Sequence, residues 1–423
     1  MPAAGRGVNG DGLDILVVSA QFPYPARSGF ARRVYELARR LAARHDVTLL
    51  SYVRPDEREG IAGLREELSV EVVERDETTI GAKRTGQLLS IASPQPFCGR
   101  AVHSPEMQRA IDELCSRRSF DVAQLESSLL CGFAFPRDVP IVLDEHNIEY
   151  EVFERMREGE RSVARRSFNQ LESARFRRFE RRWWARVDGC VVTSEREERI
   201  VRSHAPRTPA AVVPNGVDLG HFRPAAVEPE PNTLLFNGVL DYRPNLDAAQ
   251  HLTETIWPLI VRRCPGARLT IVGRGHAADL RRLRGPDVQV TGEVDDLRPY
   301  LERAAVVGVP IRMGGGTRLK VVEGLATGKA MVSTSLGCEG VAVQDGEHLL
   351  IADDAESFAS EVLRLFADRR LGAALGRAGR ALAERRYSWD LAAERLDALH
   401  RRIACSSDDP WAAAAPAGGR AWA

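Results

Sequence analysis

VPIRMGGGTRLKVVEGLATG, from Val309 to Gly328, holds a strand end, a glycine turn and a helix in one run of twenty residues. The apolar run Ala304 to Ile311 reads as a buried strand. Gly314, Gly315 and Gly316 follow, Thr317 stands where an N-cap belongs, and Gly328 closes the helix. That order aims backbone N–H groups and the positive helix end at one point in space. Arg312, Arg318 and Lys320 surround the point with cations, so the stretch predicts an anion site for a phosphate or diphosphate. Glu323 lies three residues beyond Lys320 on the same helix face. A cation near the helix start with a carboxylate one turn deeper suits a diphosphate and its ribose. The competing reading is an ordinary surface ion pair. No Walker phosphate loop is present, and no G-x-G-x-x-G follows the first strand.

Outward from this stretch, the chain repeats one plan twice. Leu13 to Ala20 is a continuous apolar strand of the kind buried on both faces. A Pro/Gly loop through Gly29, a helix to about Arg44 and the strand Asp46 to Val53 follow it. Further strands are expected at Val70–Val73, Val122–Leu125, Ile141–Leu143 and Gly189–Thr193. A second strand–helix series starts at Leu234, with a helix from about Leu246 to Arg263 and strands at Arg268–Gly273 and Val288–Gly292. The fold class predicted is α/β, with two doubly wound Rossmann-like domains facing a central cleft. The expected boundaries are 13–223 for the first domain, 224–231 for a proline-rich linker and 232–385 for the second. Residues 386–403 form a helix expected to pack back on the first domain, and 1–12 and 404–423 are read as disordered ends.

A chain of 423 residues exceeds the size at which one core keeps growing. Its formal net charge of zero gives no field that would favour nucleic acid as a partner. Seven scattered cysteines, with no C-x-x-C pair, fit free thiols in a reducing compartment. No apolar run approaches the roughly 20 residues of a membrane span, and a cytoplasmic protein is expected. Lysine is confined to Lys83, Lys320 and Lys329.

Residues 151–186 are crowded with arginine, and Phe176, Phe179, Trp183 and Trp184 recur at helical spacing among them. One reading is a basic face docking on anionic lipid, which would hold the protein at the inner face of the membrane. Against it, interleaved glutamates such as Glu172 and Glu180 favour an exposed helix with solvated arginines and an aromatic stripe turned inward.

PIRMGGGTRLKVVEGLATGKAMVST resembles the donor-binding signature of retaining glycosyltransferases of the two-Rossmann-domain (GT-B) type, family 4 in particular. QFPYPARSGFARRVYELARRL, VVTSERE with VVPNGVD, FNGVLDYRPNLDAA, LTIVGRG and VQVTGEVDD resemble further segments of that family in the same order. The resemblance spans about residues 13 to 400 and implies a sugar transferred from a nucleotide diphosphate sugar with retention. The nucleotide sugar is a co-substrate, and no resident cofactor is expected.

By the same resemblance, Glu323 would hold the ribose hydroxyls, and Gly315 falls where the family's first glutamate stands. The family's usual Arg and Lys after the first donor-domain strand would fall near Leu240 to Asn245, where only Arg243 is basic. Lys320 and Arg318 would then neutralise the leaving diphosphate, with Gly314, Gly316 and Thr317 presenting backbone groups. Gly292 and Val294 would meet the base, and Gly273 would let a strand end approach the nucleotide. Gly29 would near the diphosphate from the first loop, His146 would face the sugar, and Glu126 is a further candidate in the acceptor pocket. No D-x-D metal motif occurs, so helix dipole and side-chain cations carry the expected chemistry without a metal. The acceptor, read by segments such as Glu74 to Arg100, stays open among a glycan, a lipid-linked sugar and a small molecule. A paralogue that binds nucleotide sugar, or regulates a partner transferase, without turnover is the main alternative; a sugar-nucleotide epimerase or a phosphorylase on the same plan is another.

Overall fold

A computed structural model of the chain describes residues 12–75, 96–160, 162–225 and 227–406. The expected disordered ends at 1–11 and 407–423, and most of the Glu74–Arg100 segment, lie outside the described residues. Ala404 to Ser406 do not belong to a disordered tail. They are the last turn of the helix Trp389–Ser406, held where Ile403 packs against Gly189.

The first unit comprises residues up to 154, 162–213 and those from 393 on. Its seven strands are β1 (Asp14–Ser19), β2 (Asp46–Val53), β3 (Ser69–Glu74), β4 (Val122–Glu126), β5 (Ile141–Glu145), β6 (Gly189–Val192) and β7 (Ala210–Val212). They pair in the order β3-β2-β1-β4-β5-β6-β7, all parallel. Ile15 to Val18 are at most 1% exposed, as an uninterrupted apolar strand covered on both faces must be. The order reverses between β1 and β4, the switch point of a doubly wound sheet. The helix Gly29–Ala42 follows β1, its first turn capped by Ser28 Oγ, which accepts from the Ala31 N–H at 3.1 Å. Arg33 from that helix is fully buried and makes a forked pair with Asp144 at the end of β5 (2.9 and 3.0 Å). It also donates to the Val213 carbonyl at 2.8 Å.

The second unit takes residues 155–161 and 214–392. It carries β8 (Thr233–Asn237), β9 (Arg268–Val272), β10 (Val288–Gly292), β11 (Val306–Val309), β12 (Ala330–Ser333) and β13 (Leu350–Ile351). These run in the order β10-β9-β8-β11-β12-β13, again with a reversal, here between β8 and β11. This unit begins at Pro214, ahead of the expected linker. Val217 N–H bonds the Tyr387 carbonyl at 2.7 Å, and Trp389 lies against Gly216 so closely that a Cβ there would meet it at 2.7 Å.

Two local expectations change. The helix expected at Leu246–Arg263 starts earlier, as Arg243–His251, and widens into a π turn at Leu252–Ile256 before Trp257–Arg263. Pro258 has no N–H, and its ring would strike the carbonyl four residues back, so the helix widens ahead of it. Thr317 is not the N-cap of the glycine-turn helix. That helix is Leu319–Ala326 with Arg318 at the cap position and no side-chain cap bond. The Thr317 carbonyl instead accepts from Asn215 Nδ2 at 3.1 Å.

Candidate functional site

In the second unit the polar residues gather at the C-terminal ends of β8 to β11, beside the reversal in strand order. Doubly wound sheets bind ligands there because two connections leave in opposite directions and open the backbone between them. Three strand ends meet first. Gly238 N–H donates to the Val272 carbonyl and Gly273 N–H to the Gly292 carbonyl, both at 2.9 Å. Gly273 has φ +149°, and a Cβ on it would sit 1.9 Å from the Gly238 oxygen; only glycine lets these two strand ends approach so closely. Gly292 is also left-handed, at φ +81° with open space where a side chain would be. Val294, two residues on, is half-buried.

The glycine turn enters from β11. Gly314 and Gly316 adopt φ +95° and +74°, while Gly315 between them is half-buried. Arg318 folds back over the turn, donating to the Gly315 carbonyl and to the Met313 carbonyl at 3.4 Å. Arg155 braces the turn from outside, with bonds to the Gly314 carbonyl (2.9 Å) and to both oxygens of Glu339 (2.7 and 2.9 Å). Arg312 turns away and forks onto Asp247 (2.9 and 3.2 Å). Arg243, the one basic residue after β8, is paired with Glu160 at 3.0 Å.

Lys320 is the deepest cation of the group, 9% exposed. Its Nζ donates to Asn245 Oδ1 at 2.8 Å and stands 4.5 Å above the centre of the Phe236 ring. Gly238 makes the room: a Cβ there would lie 2.7 Å from Nζ. Among the described residues Asn245 is its one hydrogen-bond partner and no carboxylate pairs with it. Burial and the neighbouring Arg318 push its pKa down to about 7, against an upward pull from Glu323. A buried ammonium with one acceptor for three donors is poorly satisfied by the protein alone, and an arriving anion would complete it. Glu323 is half-buried one turn further along the same helix.

In the first unit a second group sits at the ends of β4 and β5. His146 Nε2 lies 2.7 Å from Glu126 Oε2, and the Phe30 ring stacks on the imidazole with centroids 4.4 Å apart. Phe30 follows Gly29, so the first loop and His146 are neighbours. Ligand atoms of Glu126, Asp144 and His146 lie within 4.8 Å of one another, yet Asp144 is held by Arg33 and His146 by Glu126. The arrangement is an acid–base pair braced by an ion pair. Behind it, Glu145 is buried and accepts from Trp184 Nε1 at 2.8 Å. Burial raises its pKa to about 8, with Glu149 and Asp144 adding to the rise and the Trp184 N–H opposing it.

The arginine-rich segment forms the helices Glu149–Glu158 and Val163–Trp184. Its aromatic stripe packs inward as expected: Phe176 stacks on Phe153 at 5.2 Å, and Trp183 and Trp184 are buried. The glutamates behave otherwise. Glu172 and Glu180 are both 0% exposed, the first bonded to Arg175 and the Phe97 N–H, the second accepting the N–H groups of Glu149 and Tyr150. The exposed charged residues of Val163–Trp184 are therefore Arg165, Arg166, Arg178 and Arg182, without an exposed acid on the same helix. No helix among the described residues is long and apolar enough to cross a membrane.

Sequence reasoning missed Asn245 and Gly238. Nothing in the spelling FNGVLDYRPN marks an asparagine as the seat of a lysine 75 residues away; only the adjacency of β8 and β11 joins them.

Comparison with known proteins follows the same division. The family model described as "Glycosyltransferase Family 4" matches residues 27–221, and that described as "Glycosyl transferases group 1" matches 231–368. A phosphatidyl-myo-inositol mannosyltransferase of Mycolicibacterium smegmatis is 30% identical over 207 residues, 46% of this chain and 52% of that protein. A GDP-mannose-dependent monoacylated alpha-(1-6)-phosphatidylinositol monomannoside mannosyltransferase of Corynebacterium glutamicum is 28% identical over 205 residues, 44% of this chain and 54% of that protein. The matches thus span about half the length of these curated relatives. Sucrose-phosphate synthase from Thermosynechococcus elongatus superposes with a TM-score of 0.72 at 19% identity, covering 93% of this chain and 99% of that one. Anabaena HepE in complex with UDP gives 0.67 at 13%, covering 92% and 100%. At such identities the likeness is one of fold.

Proposed function

Because the chain belongs to glycosyltransferase family 4, of the group 1 transferases, and has their two-Rossmann-domain GT-B fold, we propose that it transfers a sugar from a nucleoside diphosphate sugar to an acceptor hydroxyl with retention. The observation that carries this reading is Lys320, a buried ammonium without a carboxylate partner, beside a glycine turn and a helix N-terminus at the sheet's switch point. The bond from the anomeric carbon to the phosphate oxygen breaks, and a bond from that carbon to the acceptor oxygen forms. Negative charge grows on the departing diphosphate, where Lys320, Arg318 and the helix end would stabilise it. The departing phosphate takes the acceptor proton, so no strong side-chain base is needed. Glu323 would accept from the ribose hydroxyls, with Gly273, Gly292 and Val294 along the nucleoside.

GDP-mannose is the first donor to test, since a curated relative is named for its use. For the acceptor, a lipid-borne headgroup is proposed, with the exposed Arg178 and Arg182 of Val163–Trp184 resting on an anionic bilayer. Two observations support it: the inward turn of Glu172 and Glu180, and the bond from Trp184 to Glu145, the residue before His146. Gly315 supports a second reading, a protein that binds nucleotide sugar without turnover, because no carboxylate stands there to read the sugar.

One assay separates these. The protein is incubated with GDP-mannose, UDP-glucose or UDP-N-acetylglucosamine, with and without phosphatidylinositol vesicles. Acceptor-dependent release of nucleoside diphosphate is expected. Tight nucleotide binding without release on any acceptor would favour the second reading, and absence of binding would overturn both.

A further inference from the structure

We infer that Asn245 is a positioning residue that holds the Lys320 ammonium at the donor diphosphate, so that the site's buried cation is supplied by the β11 turn and seated by the β8 loop. The inference rests on the donor-site reading above and deepens it. In the family pattern the cations follow the first donor-domain strand. Here the one basic residue of that loop, Arg243, is engaged by Glu160, and Lys320 crosses from the neighbouring connection to reach the same place.

The geometry allows one orientation of the amide. Asn245 Nδ2 donates to the Val239 carbonyl at 2.9 Å, and Oδ1 accepts from Lys320 at 2.8 Å. Turned over, the amide would set NH2 against ammonium and oxygen against oxygen. Its main chain is anchored as well, the Asn245 N–H bonding the Tyr242 carbonyl at 3.0 Å. The Phe236 ring supports the ammonium from one side, and Gly238 leaves the space it occupies. A neutral amide suits this task better than a carboxylate. It accepts a hydrogen bond and leaves the full positive charge for the ligand. The charged groups that act on Lys320 are Arg318, which opposes protonation, and Glu323, which favours it.

The chain contains three lysines, so selective 13C,15N-lysine labelling yields a side-chain spectrum simple enough to assign with Lys83→Arg and Lys329→Arg. The Cε shift of Lys320 is followed against pH in wild type, Asn245→Ala and Asn245→Asp, with Asn245→Ser replacing Ala if that variant does not fold. Losing the acceptor lowers the Lys320 midpoint and adding a carboxylate raises it, each by about one unit. Opposite shifts of this kind do not follow from loosened packing alone. In calorimetry, Asn245→Ala weakens the better bound of GDP and UDP roughly tenfold. An identical Lys320 midpoint in all variants would overturn the inference. Failure of both nucleotides to bind wild type would sink the donor-site reading, while the titration would still decide whether Asn245 governs Lys320.

Discussion

Glu126 Oε2 and His146 Nε2 approach to 2.7 Å across the ends of β4 and β5, and Phe30 stacks on the same imidazole. The carboxylate fixes the ring from one side and the aromatic face from the other. His146→Ala is expected to abolish transfer while leaving nucleotide affinity intact. Glu126→Gln, which keeps the shape and removes the charge, should lower kcat roughly tenfold. Steady-state kinetics beside nucleotide calorimetry check both, and loss of nucleotide binding in His146→Ala would contradict the assignment.

Lys320→Ala should reduce turnover roughly 100-fold, the scale of losing one preorganised charge stabiliser. Unchanged kcat/KM in the folded variant would refute its role. Glu323→Ala should act on binding above all, weakening nucleotide affinity roughly tenfold, as calorimetry would register.

Lys320 also predicts a trade of stability against function. Its folded pKa of about 7 lies below its ordinary value of 10.5. Between these values the unfolded chain holds the extra proton, so this residue's contribution makes stability rise with pH across that window. Lys320→Met keeps the stem and removes the unpaired charge, and should raise stability at pH 7 by ~1–3 kcal/mol in denaturant titration while weakening nucleotide binding. Conversely, the wild-type affinity for a nucleoside diphosphate should fall as pH rises through 7, because the cationic form is the one that binds.

Glu145 carries the opposite sign. Its folded pKa of about 8 exceeds the ordinary 4.5, so the native state holds the extra proton and stability falls as pH rises from about 4.5 to 8. Glu145→Gln retains an acceptor for Trp184 and cannot ionise. Its melting temperature at pH 8.5 should exceed that of wild type by roughly 2–4 °C, and the two should converge near pH 4.5. Parallel curves at all pH values would count against the buried carboxyl.

For the lipid face, wild-type protein should cosediment with vesicles containing phosphatidylinositol or phosphatidylglycerol and not with phosphatidylcholine alone, and added salt should release it. Arg178→Glu with Arg182→Glu should abolish cosedimentation and leave nucleotide affinity unchanged. Undiminished vesicle binding in that double variant would exclude this helix as the contact.

Much of the fold was legible in one dimension because its signals are local. Uninterrupted apolar runs such as Ile15 to Val18 mark parallel strands, and glycines after β11 mark a turn that other residues strain to make. By itself the sequence determined two doubly wound halves, the glycine turn and the presence of Lys320 and Glu323 on one helix. It could not determine which arginines are available. Arg312 and Arg243 are as basic as Arg318, and only the folded chain pairs the first two with Asp247 and Glu160 while it folds Arg318 over the glycine turn, whose neutral carbonyls do not take up its charge. Nor could it show that Glu172 and Glu180 turn inward, since their spacing alone fits an exposed, charge-balanced helix. Strand order made the remaining decision. By setting β8 beside β11 it carried Asn245 to Lys320, a contact between residues 75 apart that no periodicity encodes, because it depends on which strands become neighbours.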